Sequence, residues 1–464
     1  MTTQTTDQTQ QLIKGKAAIE ALKSALQTGL DDLCAITIQD ALEPAQPGDK
    51  VFPATYLGKD ENGNDEATYA WEEVGNGENK RRLFLLDSIP SQARRLATAL
   101  LKLSAPPVPR LLLVDGVDKP IIGTDHQPVS TLTANHRLYD MVFQSGKFAK
   151  SGNPSPETTA ASGEKSKPEL TFFAESYFGR ALLGANQANA SPVFEFCPSV
   201  LLFGGWNSRL SSWGTKFRRA ITSRIVAEEL SSGRRTASRV DILGIEHVGT
   251  VEYDKKTPHR WKLLSAEDAK SKAAEGAERK ELSKIGLGFI PPSVESQGGI
   301  YAENVTHSVV LNIAELRHLR FNSLSGGADE AAKKETEQQK PARNALARSV
   351  LATLGLLAYA MQAQGGYNLR AGCLLRRKQS TVQVVLRGHS PDKDKTLMFE
   401  TLDELLAPLK ELYLTLTQSE GLKTVGLDWC AEENFPKVRV GDELAKVLKM
   451  VGVEFAEEPT PATS

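Results

Sequence analysis

The histidines, cysteines and acidic residues of this chain are not spaced as a catalytic or metal-binding site would require. The seven histidines show no ligand spacing, and the four cysteines, at positions 34, 197, 373 and 430, form no C-x-x-C pair. No P-loop, H-E-x-x-H, G-x-S-x-G or EF-hand pattern is present. We therefore predict no catalytic residue, no metal site and no cofactor. The cysteines are expected to be buried thiols of a protein in a reducing cytosol.

Basic residues, in contrast, are concentrated in three windows, although the net charge is only -1. Residues 80–110 hold seven basic residues against one acid, and residues 206–240 hold eight against two. Residues 340–389 hold eight basic residues and no acid, while the compensating acids lie mainly in 31–79 and after residue 392. Charge runs are common on solvated helix faces. Three separate basic windows in a neutral chain, however, indicate a groove that binds a polyanion.

Hydrophobic patterning predicts an α+β protein built on a compact sheet. Helices are predicted from Asp87 or Ser88, with Pro90 in the first turn, and over 214–230 and 342–364. The second of these helices would carry Arg218, Arg219 and Arg224. Strands are predicted over 110–115, 170–174, 200–203, 240–253, 305–313 and 381–387.

The remaining composition predicts insertions within one domain that spans residues 1–464. They are an acidic loop or hairpin at 44–80, a flexible loop at 144–169, a charged insertion at 254–284, a solvated connector at 325–340 and a disordered tail at 455–464. The N-terminus has no basic region followed by an apolar core. No stretch approaches the roughly 18 apolar residues that span a bilayer. We therefore expect a cytoplasmic protein without a membrane partner.

Four segments together resemble the RAMP-superfamily backbone subunit of type I-G (formerly I-U) CRISPR Cascade. They follow one another in the family's order and span most of the chain. The segments are FLLDSIPSQARRLATAL at 84–100, FCPSVLLFGGWNSRLSSWGTKFRRAITSRIVAEEL at 196–230, the stretch from IGLGFIPPSV to NIAELRHLRF at 285–321, and GYNLRAGCLL at 366–375.

This resemblance implies a ferredoxin-like (RRM-related) palm with large insertions that form thumb and finger elements. Copies of the chain would stack along one crRNA into a helical filament, together with other Cascade subunits. The palm and a projecting hairpin would hold and kink the RNA backbone, and target DNA would be read by base pairing to the guide. The protein itself would not be an enzyme.

Binding a nucleic-acid backbone requires cationic side chains along a groove and a few flat surfaces for bases. Trp206 is such a surface if it is exposed, although tryptophan is usually well buried. The Gly-rich turn near residue 372 could add backbone N–H groups for phosphates. The predicted RNA-binding residues are Arg94, Arg95, Trp206, Asn207, Ser208, Lys216, Arg218, Arg219, Arg224, Arg370, Arg376, Arg377 and Lys378.

A second hypothesis keeps the fold but assigns an enzyme. Related folds can process precursor crRNA as endoribonucleases without a metal, with a histidine or a tyrosine as general base. His247 and His307 both fall in predicted strands, which makes them the candidates. Cleavage of repeat RNA that depends on either histidine would distinguish this enzyme from a binding subunit.

Overall fold

The computed structural model describes residues 11–59, 65–104, 106–149, 169–207, 215–239, 250–254, 256, 260–265, 267–273, 276–281, 290–295, 298–323, 330–418, 420–451 and 453. Helices and strands both contribute heavily, and the strands form several sheets. The predicted α+β class is therefore confirmed.

The helices in this part of the chain are α1 (Gly15–Gln27), α2 (Ile89–Ala99), α3 (Met141–Gln144), α4 (Tyr177–Leu183), α5 (Ser191–Phe196), α6 (Ser199–Phe203), α7 (Ile313–His318), α8 (Glu330–Gln364), α9 (Leu402–Gln418), α10 (Glu420–Thr424) and α11 (Asp442–Met450). The strands are β1 (Gln11–Lys14), β2 (Leu33–Pro44), β3 (Thr55–Lys59), β4 (Asp65–Tyr69), β5 (Trp71–Val74), β6 (Arg81–Asp87), β7 (Leu112–Val114), β8 (Lys147–Ala149), β9 (Leu170–Phe172), β10 (Gly205–Asn207), β11 (Thr215–Phe217), β12 (Ile221–Ser232), β13 (Arg235–Arg239), β14 (Thr250–Asp254), β15 (Trp261–Leu263), β16 (Ala277–Glu281), β17 (Ile290–Glu295), β18 (Ile300–Asn312), β19 (Tyr367–Arg370), β20 (Cys373–Arg377), β21 (Val382–Gly388), β22 (Lys395–Phe399) and β23 (Lys437–Arg439).

The largest sheet has the order β1-β22-β21-β2-β18-β12-β6-β5, and the β19–β20 hairpin joins it through β2. Its central strands β21, β2, β18 and β12 are each antiparallel to their neighbours. Along the chain, these strands and two helices follow the order β2, α2, β12, β18, α8, β21. This is the βαββαβ arrangement of a ferredoxin-like sheet, and it supports the predicted palm.

One face of the central sheet is covered by helices and the other is open. On β12, Ile221, Ser223 and Ile225 are buried, whereas the alternate residue Arg224 is exposed. Successive strand residues point to opposite faces, so Arg224 stands on the open face. The helix-covered face packs against α2 and α8.

Helix α8 is the central helix of the core. It packs against α9, α2 and α1, and Val350, Leu354 and Leu357 are fully buried. By length and composition alone, its segment Gln338–Gln364 could cross a membrane, contrary to our expectation that no stretch would qualify. Because 78% of the apolar window is buried inside the protein, the segment has the burial expected of a core helix.

The predicted helix over 214–230 is wrong, because this segment forms β11 and β12. Ile221 and Ile225 are four residues apart, and that spacing places two residues on one face of either a helix or a strand. The structure resolves the ambiguity through Ser223, which is buried between them as a strand requires. Arg218 and Arg219 therefore lie in the connection between two strands.

The predicted strand over 200–203 is also wrong, since these residues belong to α6. A short run of buried apolar residues has no period that separates strand from helix. The predicted strands over 110–115, 170–174, 305–313 and 381–387 are confirmed by β7, β9, β18 and β21. Of the predicted strand 240–253, only residues 250–253 are described, and they belong to β14.

Several predicted insertions contain regular structure. The 44–80 segment includes the β3–β4 hairpin and β5, and the charged segment at 254–284 contributes β15 and β16 to a small sheet of order β15-β14-β16. Helix α8 begins at Glu330, well before the predicted residue 342, so part of the predicted connector is helical. Residues 150–168 and 454–464 lie outside the described residues.

Candidate nucleic-acid interface

A tight turn between α6 and β10 leaves Trp206 exposed to solvent. Gly204 ends α6 with a φ of 80°, in the left-handed region that favours glycine. A side chain on Gly205 would collide with the ring of Tyr139, since its Cβ would lie 2.6 Å from a ring carbon. Strand β10 then pairs with β11, with Trp206 opposite Lys216. Trp206 is 65% exposed, so its interpretation as a core aromatic is wrong.

Arg219 lies beside this turn. A Cβ added to Gly204 would stand 3.0 Å from Cγ of Arg219, so the arginine stem passes over the glycine. The Arg219 side chain is exposed, and in the described part of the chain it has no hydrogen-bond or ion-pair partner. Its neighbour Arg218 contacts α7, with Nη1 3.9 Å from Oε2 of Glu315.

Two further arginines lie near this turn, Arg137 in contact with Gly204 and Arg94 next to Ala93, whose carbonyl Arg137 also contacts. Arg94 of α2 is exposed and donates from Nη1 to Oδ1 of Asn135 at 3.2 Å. Arg137 is buried, and its guanidinium donates to the carbonyl oxygens of Gly204 and Ala93. We name Arg94, Arg137, Trp206 and Arg219 the Gly204 cluster. Sequence analysis did not select Arg137, because it lies in none of the three basic windows.

Arg224 provides a second cationic point, on the open face of the central sheet. It is exposed and has no partner among the side chains that the structure describes. Across the sheet it pairs with Ser308 of β18, which pairs in turn with Gln39 of β2. These polar neighbours carry no charge, so no acid in that row competes for the guanidinium.

Arg95 and Arg370 are occupied within the protein. Both approach Asp87, which is 2% exposed, with Arg95 Nε 3.0 Å from Oδ2 and Arg370 Nη2 3.7 Å from Oδ1. Gln92 also donates to this carboxylate, at 2.6 Å. Arg95 additionally donates to two β19 carbonyls, and Arg370 to those of Phe52 and Leu86. These two arginines hold β19 against the strand end of β6.

The basic run at the end of β20 also contains both paired and exposed side chains. Arg377 contacts the buried Asp40 with Nη2 3.2 Å from Oδ1, and Arg376 contacts Glu43 at 2.8 Å. Only Lys378 is exposed with no side-chain partner within the described ranges. The run lines an open groove whose wall also carries Glu43 and Asp403, so its positive charge is partly neutralised.

The remaining predicted RNA-binding residues lie at the β10–β11 hairpin. Asn207 is the last residue of β10, and Lys216 lies within β11. Ser208 lies outside the described residues. The backbone thus places Asn207 and Lys216 beside Trp206, on the same hairpin as part of the Gly204 cluster.

His307 occupies the core beneath the sheet. Nε2 lies 2.7 Å from Oγ of Ser223, and Nδ1 lies 3.1 Å from the hydroxyl of Tyr367. Burial, together with the nearby charge of Arg377, lowers its pKa to about 3. The ring is fully buried and neutral at pH 7, so an RNA at the protein surface cannot contact it in the described structure. His247, the other candidate base, lies outside the described residues.

A further cationic cleft escaped the sequence analysis. Arg317, His318 and Arg320 line it together with Gln187. The Arg317 guanidinium donates to the backbone oxygen of Asp31 at 2.8 Å. This cleft adjoins the Arg218 region, because Glu315 contacts both Arg218 and Gln187.

No described group of three or more histidine, cysteine, aspartate or glutamate side chains is placed to hold a metal ion. All four cysteines are free thiols. Cys197, Cys373 and Cys430 are buried, and burial raises the pKa of each, whereas Cys34 is half-buried. Burial of three of the four thiols agrees with the sequence interpretation.

Comparison with known protein families finds a similarity for part of this chain. Residues 36–232 match the family model described as CRISPR-associated protein GSU0053. The matched stretch runs from β2 to the end of β12 and contains the whole Gly204 cluster. No curated protein matches the chain. Over this stretch, which is less than half of the chain, the protein is similar to a CRISPR-associated family, and the match suggests a role in CRISPR defence.

Proposed function

We propose that this protein is a non-catalytic, cytoplasmic RNA-binding subunit that polymerises along crRNA. It forms the backbone of a type I-G Cascade complex with other Cascade subunits and presents the guide for pairing with target DNA. The observation that carries the proposal is the Gly204 cluster, in which an exposed tryptophan stands beside the exposed and unpartnered Arg219.

That combination suits a single strand held without sequence preference. Bases stack on aromatic rings, and phosphates contact cationic side chains. Such a protein leaves sequence recognition to base pairing between guide and target. Trp206 provides the ring, and Arg94, Arg218 and Arg219 provide charges around it.

The central sheet supports the same function. Its strand order is the one expected for a ferredoxin-like palm, and Arg224 is an exposed arginine on its open face with no partner among the described residues. The residues beside Arg224, such as Ser308, Thr306 and Ala41, are small. A phosphate chain can therefore approach Arg224 without meeting a bulky side chain.

The contacts divide the predicted residues into two groups. Arg94, Trp206, Arg218, Arg219, Arg224 and Lys378 have exposed heads and are assigned to RNA. The guanidinium groups of Arg95, Arg370 and Arg377 already bind buried carboxylates, so these residues position the β19–β20 hairpin. Arg376 is exposed like the first group but paired with the half-buried Glu43 like the second, so it is assigned to neither.

The decisive experiment is to co-express the chain with its Cascade partners and a repeat-spacer array, purify the assembly, and sequence the retained RNA. We expect RNA of uniform length that carries spacer sequence. The double substitution Arg218→Glu with Arg219→Glu should abolish retention of RNA while the protein remains folded by circular dichroism.

The matched control reverses two exposed lysines outside the basic windows, with Lys437→Glu and Lys449→Glu, and should retain RNA normally. Random RNA fragments, or no RNA, in the wild-type assembly would contradict the proposed function. Retention of guide RNA by the Arg218 and Arg219 double variant would exclude this strand connection from the groove.

A further inference from the structure

Within the part of the chain that the structure describes, Arg137 is a buried cation without a carboxylate partner. It is 7% exposed, and its Nε has no hydrogen-bond partner within the described residues. Its two Nη donors reach only backbone oxygens, that of Gly204 at 3.2 Å and that of Ala93 at 3.4 Å. The guanidinium also lies 5.4 Å from the centre of the Phe203 ring.

Such an arrangement is costly in a protein that binds nothing. Buried charges are usually paired, because removing an ion from water is expensive. Here the charge that acts on Arg137 is Arg219, and it is repulsive. Burial and this repulsion lower the pKa of Arg137 to about 10, which leaves the guanidinium protonated at pH 7.

The backbone around Arg137 is strained as well. Arg137 has a φ of 53°, in the left-handed region that non-glycine residues seldom adopt. Strain of this kind persists only where surrounding structure imposes it, and it is common at ligand sites. Gly204 and Gly205 pack against the same corner, and neither has a side chain to cover it.

The acid nearest to Arg137 in the sequence, Asp140, caps helix α3 rather than pairing with the guanidinium. The residues that follow Asn207 read SRLSSWG over 208–214, with one arginine and no acid. Arg94, the other charged member of the cluster, adds positive charge, and its own acidic contact, Asp125, lies 3.9 Å away. The Gly204 cluster therefore carries a net positive charge around a buried guanidinium.

We propose that the Gly204 cluster is a phosphate-binding site in which Arg219 holds the anion at the surface and Arg137 stabilises it from beneath. Resting on the proposed function, the inference identifies the natural anion as a backbone phosphate of the RNA, with the adjoining base on Trp206. A charge in a poorly solvated position acts more strongly than one in water. Arg137 thus contributes to binding although it is buried.

The first test measures thermal unfolding of the full-length chain without RNA, with inorganic phosphate as the probe. Wild-type protein should gain thermal stability as phosphate is added, because a ligand that binds only the folded state stabilises it. Arg219→Glu should unfold at a higher temperature than wild type in the absence of phosphate, because a carboxylate replaces a repulsive charge beside Arg137. It should also lose the response to phosphate.

The matched control is Lys437→Glu, which reverses an exposed lysine on β23, outside the basic windows. Lys437 belongs neither to the Gly204 cluster nor to the proposed RNA-binding residues, so this variant should show no gain in stability and a normal phosphate response. An equal phosphate response in wild type and Arg219→Glu, or no response in wild type, would overturn the inference. Arg137→Met adds a second check if it folds, and it should remove the stabilising effect of Arg219→Glu.

The second test measures affinity for a 12-nucleotide oligouridine. Arg219→Glu should weaken binding about tenfold or more, since hydrogen bonds to charged groups contribute that much. If no RNA binds wild-type protein but its phosphate response depends on Arg219, the anion site stands and the proposed RNA function fails. If RNA binds and Arg219→Glu binds it as tightly as wild type, the proposed function stands and the site is wrong.

Discussion

At the scale of single residues, arginines adjacent in sequence have different roles. Arg94 faces solvent, whereas Arg95 binds the buried Asp87. Arg377 is 12% exposed and contacts Asp40, whereas Lys378 next to it is exposed. A basic run in the sequence therefore contains both residues that hold the fold and residues that are free to bind phosphate.

This difference can be measured with Arg377→Met and Lys378→Met. Removing Arg377 leaves the buried carboxylate of Asp40 without its guanidinium partner, although Tyr359 still donates to it at 2.6 Å. Loss of one partner of a buried ion pair costs about 3–5 kcal/mol, so the free energy of unfolding in urea should fall by about that amount. Lys378→Met should change it by less than about 0.5 kcal/mol.

The effects on RNA affinity should be the reverse of the effects on stability. When only folded protein is compared, Lys378→Met should reduce RNA affinity more than Arg377→Met does. Lys378→Met should weaken RNA binding, because an exposed charge is lost. Equal unfolding free energies for the two variants would show that Arg377 is not structural, and its assignment to the RNA groove would then be restored.

At the scale of elements, the junction between α6 and β10 determines where the cluster stands. A Cβ on Gly205 would lie 2.6 Å and 2.8 Å from two ring carbons of Tyr139 and 2.9 Å from Cγ1 of Val200. The helix end, the Tyr139 ring and the start of the strand are thus packed without room for a methyl group. The β10 strand, which carries Trp206, cannot enter at this angle with a larger residue.

Gly205→Ala tests this junction. Overpacking a well-packed position costs about 1–3 kcal/mol, so the free energy of unfolding should fall within that range. RNA affinity should fall too, because the displaced Tyr139 lies two residues from Arg137. The control is Gly365→Ala, where the nearest atom to the added methyl would be 3.5 Å away. A Gly205→Ala variant with normal stability and affinity would show that the close packing is unimportant.

At the scale of the whole molecule, the net charge of -1 conceals the distribution that matters. Acids neutralise some arginines in the interior, such as Asp40 and Asp87, and leave others exposed near Gly204 and on the open sheet face. The molecule can therefore be neutral overall and still attract a polyanion along one path. Such a path should show the salt dependence of phosphate contacts.

Salt titration of RNA binding tests this distribution. Each phosphate neutralised on a single strand contributes about -0.7 to the slope of log affinity against log salt. Arg224→Ala should therefore make the slope shallower by about 0.7 and weaken binding to every RNA sequence alike. Lys437→Ala, at an exposed lysine outside the basic windows, should leave the slope unchanged. A wild-type slope near zero would contradict binding through phosphates.

The sequence by itself determined the α+β class, the helices α2 and α8, two of the four central strands (β18 and β21) and the positions of the basic windows. These features depend on local signals, such as Ser88 and Pro90 at the start of α2 or β-branched runs in β18. The family match over residues 36–232 agrees with the resemblance as far as a CRISPR-associated family.

Only the tertiary structure decided which arginines are free and whether 214–230 is helix or strand. Whether a guanidinium is available depends on acids distant in sequence, as Asp40 is from Arg377, and no local pattern encodes that distance. Apolar residues four apart fit the period of a helix and the period of a strand alike. The burial of Ser223, which lies between Ile221 and Ile225, identified the segment as a strand. Arg137 was missed because one isolated basic residue carries no signal until folding removes water and any counter-ion from its surroundings.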